Sequence, residues 1–206
     1  MTDNISVAQI SELILTRMCH DVAGIAGTVA NAVELLEDGD MDFLEDITTN
    51  LKTSSAVMNA RIKFFRLAFG LSNANLEDMA FIFKAATDYL STIGGRNHQI
   101  IFQMSAIPQE LAKAALSGIM IAADTLIKGG EIAIEYRNNT LYINTQTSTP
   151  AKDKIMAITG CIDGSAPQIN AQFAPIFYLK ELLKNSDYTL VVEEGESLSL
   201  LIKRNM

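Results

Sequence analysis

From Ile5 to Glu37 the chain has no proline and spaces its apolar residues in steps of four and three: Ile10, Ile14, Met18, Val22, Ile25, Val29, Ala32, Leu36. That spacing predicts one long amphipathic helix with a single buried face. Asp38-Gly39-Asp40 supplies a stop at Gly39 and a cap at Asp40. A second helix is predicted from Asp42 to Phe69, with the stripe Phe43, Ile47, Leu51, Ser54 or Ser55, Met58, Ile62, Phe65, Phe69 and an end at Gly70. Two helices of about 30 residues, rising about 1.5 Å per residue, make a hairpin roughly 45 Å long. Leu13, Leu15, Val33, Leu35, Leu44, Val57 and Leu67 fall off the stripes and widen the apolar surface. A lone hairpin cannot cover so much. The economical solution is a four-helix bundle from two copies of the chain, and a homodimer is predicted.

After Leu71-Ser72-Asn73-Ala74-Asn75 the pattern changes. Leu76 to Thr92 reads as a helix, Gly94-Gly95-Arg96-Asn97 as a turn and His98 to Met104 as a strand. Pro108 to Ile127 reads as a mostly apolar helix with proline near its first turn, ended by Lys128-Gly129-Gly130. Glu131 to Tyr136 and Thr140 to Thr145 alternate around Asn138-Asn139, a hairpin signal. A short helix around Lys152 to Thr159, a loop through Gly160, Gly164 and Pro167, and a helix from Ala171 to Lys184 follow. Tyr188 to Glu193 and Leu198 to Arg204 close the chain as a hairpin around Glu194-Gly195-Glu196. This order predicts a two-layer α/β sandwich, making the whole chain α+β. The expected domains are 1–72, the helical hairpin, and 73–206, the sandwich.

Composition narrows the partners. The 206 residues are 49% hydrophobic and 19% charged, enough apolar matter for real cores. A net charge of -8, with Lys and Arg numbering 16 and forming no basic run, argues against nucleic acid. No uninterrupted apolar stretch is long enough to cross a bilayer. Met1-Thr2-Asp3-Asn4 lacks the features of a signal peptide, so a cytoplasmic location is expected. Cys19 and Cys161 make neither a disulfide framework nor a zinc site and read as free thiols.

Candidate chemistry centres on one of the two histidines. His20 lies about 160° around the helix from Met18 and Val22, because each residue turns about 100°. It therefore faces water, with Arg17, Ala23, Gly24 and Gly27 around it. A neutral imidazole is a good nucleophile towards phosphorus, and its phosphoramidate passes the group on to a carboxylate. On pattern alone an ordinary surface histidine explains the position more simply. Asp21 could flank the ring, but neighbouring helical residues do not face each other, so a tight pair is not expected. By itself it reads as a solvated charge. Cys19 fails as a partner on the same geometry and reads as a small core residue. His98 reads as an exposed turn residue, and no spacing joins the histidines to carboxylates in a metal-ligand pattern. Gly94-Gly95 and Gly129-Gly130 match neither phosphate-binding glycine motif.

Arg17-Met18-Cys19-His20-Asp21, followed by Asn31-Ala32-Val33-Glu34-Leu35-Leu36-Glu37, resembles the ChpT-type histidine phosphotransferases of alphaproteobacterial phosphorelays. Phe65-Arg66-Leu67-Ala68-Phe69-Gly70 is similar to that family's Arg-x-Ala-Phe-Gly segment, and Ile121-Ala122-Ala123-Asp124-Thr125-Leu126 before Gly129-Gly130 is similar as well. The resemblance implies a dimerisation and phosphotransfer hairpin like that of histidine kinases, then a degenerate kinase-like ATPase domain. It implies that His20 takes a phosphoryl group from a receiver-domain aspartate of a hybrid histidine kinase and gives it to the aspartate of a response regulator. The phospho-accepting histidine and its following acid map onto His20 and Asp21. The docking surface maps onto Arg17, Ala23, Gly24, Gly27 and Asn31. The protein would need no cofactor of its own: the receiver would bring Mg²⁺, and ATP would play no part.

The chain departs from the family pattern in two places. Gly24 and Ile25 stand where members tend to carry a small polar residue and a proline; the missing proline predicts a straighter helix, and the missing hydroxyl leaves water-directed phosphatase activity an open question for the sequence. Leu116-Ser117-Gly118-Ile119-Met120-Ile121-Ala122-Ala123 stands where a working kinase carries an Asn-rich helix, and Gln146 to Asp153 holds no glycine. An ATP-dependent kinase is therefore disfavoured. The remaining alternative is a dimeric regulator that binds kinases or receivers without being phosphorylated.

Overall fold

The computed structural model describes residues 5–37, 43–71, 76–93, 98–193 and 195–205. Helix α1, Val7–Glu37, is opened by a reciprocal cap: the Gln9 amide donates to Ser6 Oγ at 3.2 Å and the Ser6 amide to Gln9 Oε1 at 2.9 Å. It runs unbroken, as the absence of proline leads one to expect. Helix α2, Leu44–Phe69, packs along it. The expected stop at Asp38-Gly39-Asp40, the boundary at 72–73, the turn at 94–97 and Glu194 lie outside the described residues.

The second half follows the predicted order. It comprises α3 (Met79–Ser91), β1 (Ile100–Met104), α4 (Ala112–Ala123), β2 (Gly130–Arg137), β3 (Thr140–Gln146), α5 (Lys152–Asp163), α6 (Ala174–Leu183), β4 (Tyr188–Glu193) and β5 (Ser199–Arg204). The sheet order is β1-β2-β3-β5-β4; β1 and β2 are parallel and the other pairs antiparallel. Asn138 and Asn139 take φ of 50° and 58°, the left-handed pair that matches the twist of a two-residue hairpin. Ile134, Ile143 and Leu200 align across β2, β3 and β5 and are buried beneath the helices.

Among the boundaries that differ from the sequence expectation, three have plain local reasons. Helix α3 begins at Met79 because the Asp78 side chain accepts the amides of Ala80 and Phe81 at 2.9 and 3.1 Å. Helix α4 ends at Ala123, four residues short of Ile127. The amides of Thr125 and Leu126 tighten onto Ala122 and Ala123, and Thr125 Oγ1 also donates to the Ala122 carbonyl. Helix α5 runs on to Asp163 because the stop is Gly164, at φ +79°, and not Gly160.

The foot of the hairpin shares one core with the sandwich. Ile10 and Ile14 of α1, with Phe64, Phe65, Leu67 and Ala68 of α2, join the buried residues of α3, α4 and α6. Phe64 stacks on Tyr89 with ring centres 4.0 Å apart. Farther out the hairpin is thinner. Beyond Gly24 on α1 and before Val57 on α2, the described residues bury only Ala32, Ile47 and Ser54. Val33, Leu35, Leu36, Phe43 and Leu44 stay exposed there.

Candidate functional site

His20 stands on the unbroken middle of α1 with its side chain 85% exposed. The exposure expected from periodicity is therefore observed. The ring lies at the rim of an open groove of about 480 Å³ between the two helices, lined also by Asp21, Gly24, Thr28, Ser54 and Arg61. Its Nδ1 is 3.5 Å from Asp21 Oδ1, a long contact for a hydrogen bond.

Asp21 and Arg17 depart from what the sequence led us to expect. Asp21 is no solvated charge: its side chain is 16% exposed, and Oδ2 accepts from Arg17 Nε at 3.2 Å. The sequence pattern sets Arg17 on the open face with His20, and the structure corrects this. Its side chain is only 15% exposed and turns towards the sandwich. There it forks onto Asp124 at the end of α4, Nη2 to Oδ1 at 2.9 Å and Nη1 to Oδ2 at 3.2 Å, and also donates to the Gln172 carbonyl. Such a bidentate pair fixes both side chains. Burial works against the guanidinium charge, but hydrogen bonding and attraction from Asp124, then Asp21, outweigh it and hold Arg17 above its ordinary pKa. The same buried pocket pushes the Tyr89 hydroxyl up, first by desolvation and then through the charge of Asp124.

A second arginine braces the turn. Arg61 of α2 donates to the Asp21 carbonyl and, through Nε and Nη2, to Thr92 Oγ1 and the Thr92 carbonyl at 3.1 and 3.2 Å. It thus ties α1, α2 and the end of α3 together beside His20.

Ala23, Gly24, Gly27 and Asn31 are exposed on α1. A methyl group built on Gly24 or Gly27 meets nothing within 4 Å, so folding of the single chain does not require glycine there. Glycine inside a helix costs about 0.5–1 kcal/mol relative to alanine. Gly27→Ala is therefore expected to raise stability by about that much in chemical denaturation; an unchanged or lower value would show an unseen constraint at the position.

Cys19, expected in the core, is exposed; Cys161 is buried and its sulfur accepts the Gln168 amide at 3.2 Å. The difference at Cys19 follows from its place on α1, about 180° around the helix from Ile10. His98 is half-buried before β1. Among the described residues no cluster of three or more His, Cys, Asp and Glu is placed to hold a metal, and no helix is long and apolar enough to cross a membrane.

Sequence reasoning missed the Arg17–Asp124 bridge and the Arg61 brace. Arg17 and Asp21 at i and i+4 were legible as neighbours on a helix face. Nothing in the periodicity could pair residues 107 positions apart.

No protein-family model matches the chain. It is 29% identical over 136 residues to the protein phosphotransferase ChpT of Brucella abortus (strain 2308), across 63% of this chain and 62% of that relative. The chain thus matches somewhat less than two thirds of the relative's length. Its fold superposes on the 1.7 Å structure of a bacterial phosphotransferase with a TM-score of 0.79, covering 98% of this chain and 100% of the other at 22% identity. The α+β architecture is thus shared from end to end with a solved protein. The ChpT-type resemblance read from the residues around His20 is supported by a curated relative of that name.

Proposed function

We propose that this chain is a histidine phosphotransferase of a multistep phosphorelay, working through His20. The observation that carries the reading is the exposed imidazole on a rigid helix, clear of the core and bordered by small residues. A receiver domain is a bulky partner, and an open face of Ala23, Gly24, Gly27 and Asn31 admits one. The donor would be the receiver of a hybrid histidine kinase and the acceptor a response regulator, in the cytoplasm.

The geometry supports the following chemistry. His20 Nε2 attacks the phosphorus of an aspartyl phosphate, the P–O bond to the receiver carboxylate breaks, and the carboxylate leaves. The ring then carries positive charge, and Asp21 beside Nδ1 offsets it. Transfer to the next aspartate reverses these steps. Phosphoryl transfer needs little covalent help beyond positioning and charge neutralisation. Mg²⁺ would come with the receiver, since Asp21 and Asp124 are already committed to Arg17. The sandwich, 73–206, would brace the hairpin, 1–72, without ATP. In this reading, incubation with a phosphorylated receiver labels the protein, whereas ATP alone does not. Self-labelling from ATP would overturn it in favour of a kinase.

The same proposal includes the homodimer. Leu15 and Val33 lie on α1 about 140° from His20, so a second copy can cover that apolar side without hiding the ring. The exposure of Leu15 and Val33 supports an interaction site on that side. Val33→Asp is expected to convert a dimer to a folded monomer in sedimentation, because the charge would be buried unpaired at the interface. A wild-type chain that is monomeric at micromolar concentration would remove the dimer from the account.

Docking has its own test. Gly24→Trp fills the open face beside the ring and is expected to slow transfer from a receiver about tenfold or more while leaving the fold intact. An unchanged rate would remove this face as the docking surface.

A further inference from the structure

We propose that Asp124, a residue of the sandwich, is a positioning residue for phosphoryl transfer at His20, acting through Arg17 and Asp21. This inference rests on the phosphotransfer reading and deepens it. Three charged side chains and the imidazole form one line: Asp124 grips the Arg17 fork, Arg17 Nε holds Asp21 Oδ2, and Asp21 Oδ1 lies beside His20 Nδ1. The guanidinium is planar, so fixing its two terminal nitrogens on Asp124 also fixes where Nε points. That in turn orients the Asp21 carboxylate, which has one oxygen on Arg17 and leaves the other for the ring.

The consequence is a choice of tautomer. Of the two neutral tautomers, a carboxylate beside Nδ1 favours the one with its proton on Nδ1, leaving the Nε2 lone pair free towards solvent. When Nε2 bonds to phosphorus, no proton has to leave: Nδ1 keeps its hydrogen and the new positive charge faces Asp21. Without Asp124, Arg17 has a single carboxylate partner. The guanidinium is then free to swing wholly onto Asp21 and draw it from the ring.

Asp124 is 104 positions from His20 in sequence, and among the described residues its side-chain hydrogen bonds go to Arg17, not to His20 or to Ala23, Gly24, Gly27 or Asn31. A merely structural role would show only as lost stability. The test therefore reads the ring itself. Ring ¹⁵N chemical shifts of His20, recorded on the full unphosphorylated chain, should show an excess of the Nδ1–H form. In Asp124→Asn they should move towards the Nε2–H form that free histidine side chains prefer. Reaction with phosphoramidate, in which ammonia leaves as the Nε2–P bond forms, should slow about tenfold, by analogy with the loss seen when the partner that orients a metal-binding imidazole is removed. Asp124→Glu, which keeps the carboxylate, should recover most of both. If Asp124→Asn does not stay folded, Arg17→Lys asks the same question, since an ammonium cannot fork. Unchanged ring shifts and an unchanged rate in a folded variant would overturn the proposal, as would an Nε2–H ring in the wild type. Neither measurement uses a receiver. A protein that passes both yet takes nothing from any phosphorylated receiver would therefore contradict the relay reading and leave this one standing.

Discussion

Replacing His20 with alanine is expected to abolish phosphoryl acceptance, a loss of at least about a thousandfold, because the variant lacks the nucleophile and no neighbour can replace it. Cys19 and Asp21 are adjacent in sequence but diverge around the helix by about 100° on either side. Asp21 is also held by Arg17. The fold should hardly register the change. The ring is 85% exposed, and alanine is the better helix former, so stability should stay within about 0.5 kcal/mol. Binding to a receiver should also persist, since most of the docking surface remains. This contrast separates the two readings of the protein. Relay flux measured with donor and acceptor receivers should vanish while affinity by titration is retained. A His20→Ala protein that still relays phosphate would mean that His20 is not the carrier. The non-phosphorylated binding regulator would then be the better description.

The second large effect is on stability. Arg17→Glu would set three carboxylates together where two now share one guanidinium. The site is only partly open to water, with Arg17 15% and Asp124 20% exposed, so solvent cannot fully screen the repulsion. Breaking a largely buried pair and leaving its charges uncompensated typically costs about 3–5 kcal/mol. Urea denaturation should show a loss of that order. Because the bridge spans α1 and α4, the hairpin and the sandwich should loosen from each other together. A shift under about 1 kcal/mol would mean that the bridge does not hold them. The resemblance maps Arg17 onto the docking surface; the geometry ties it instead to Asp124 and the sandwich.

Much of the fold was legible in the order of residues because the signals are local. An unbroken period near 3.6 from Ile10 to Leu36 could only be a long helix. Alternation around Asn138-Asn139 could only be a hairpin, since few residues besides glycine take two successive left-handed conformations. The ends were harder. Whether α4 stops at Ala123 or Ile127 depends on how Thr125 bonds to Ala122, and Gly160 and Gly164 offered rival stops for α5. At the site, the angle between His20 and the apolar stripe follows from helix geometry, so its exposure was readable. The surroundings of Arg17 were not. Its long side chain reaches from α1 to the end of α4, and which carboxylate it meets is decided by how two elements pack. Cys19 failed for a related reason: a small sulfur-bearing residue suits a core, but this one points away from it.

The most direct measurement is to incubate the wild-type chain with a receiver domain carrying labelled aspartyl phosphate and then locate the label. It should sit on His20 at Nε2, be stable to base and labile to acid, and move to a second receiver when one is added. Label found on any other residue, or none taken up by a folded protein that binds the receiver, would contradict the account.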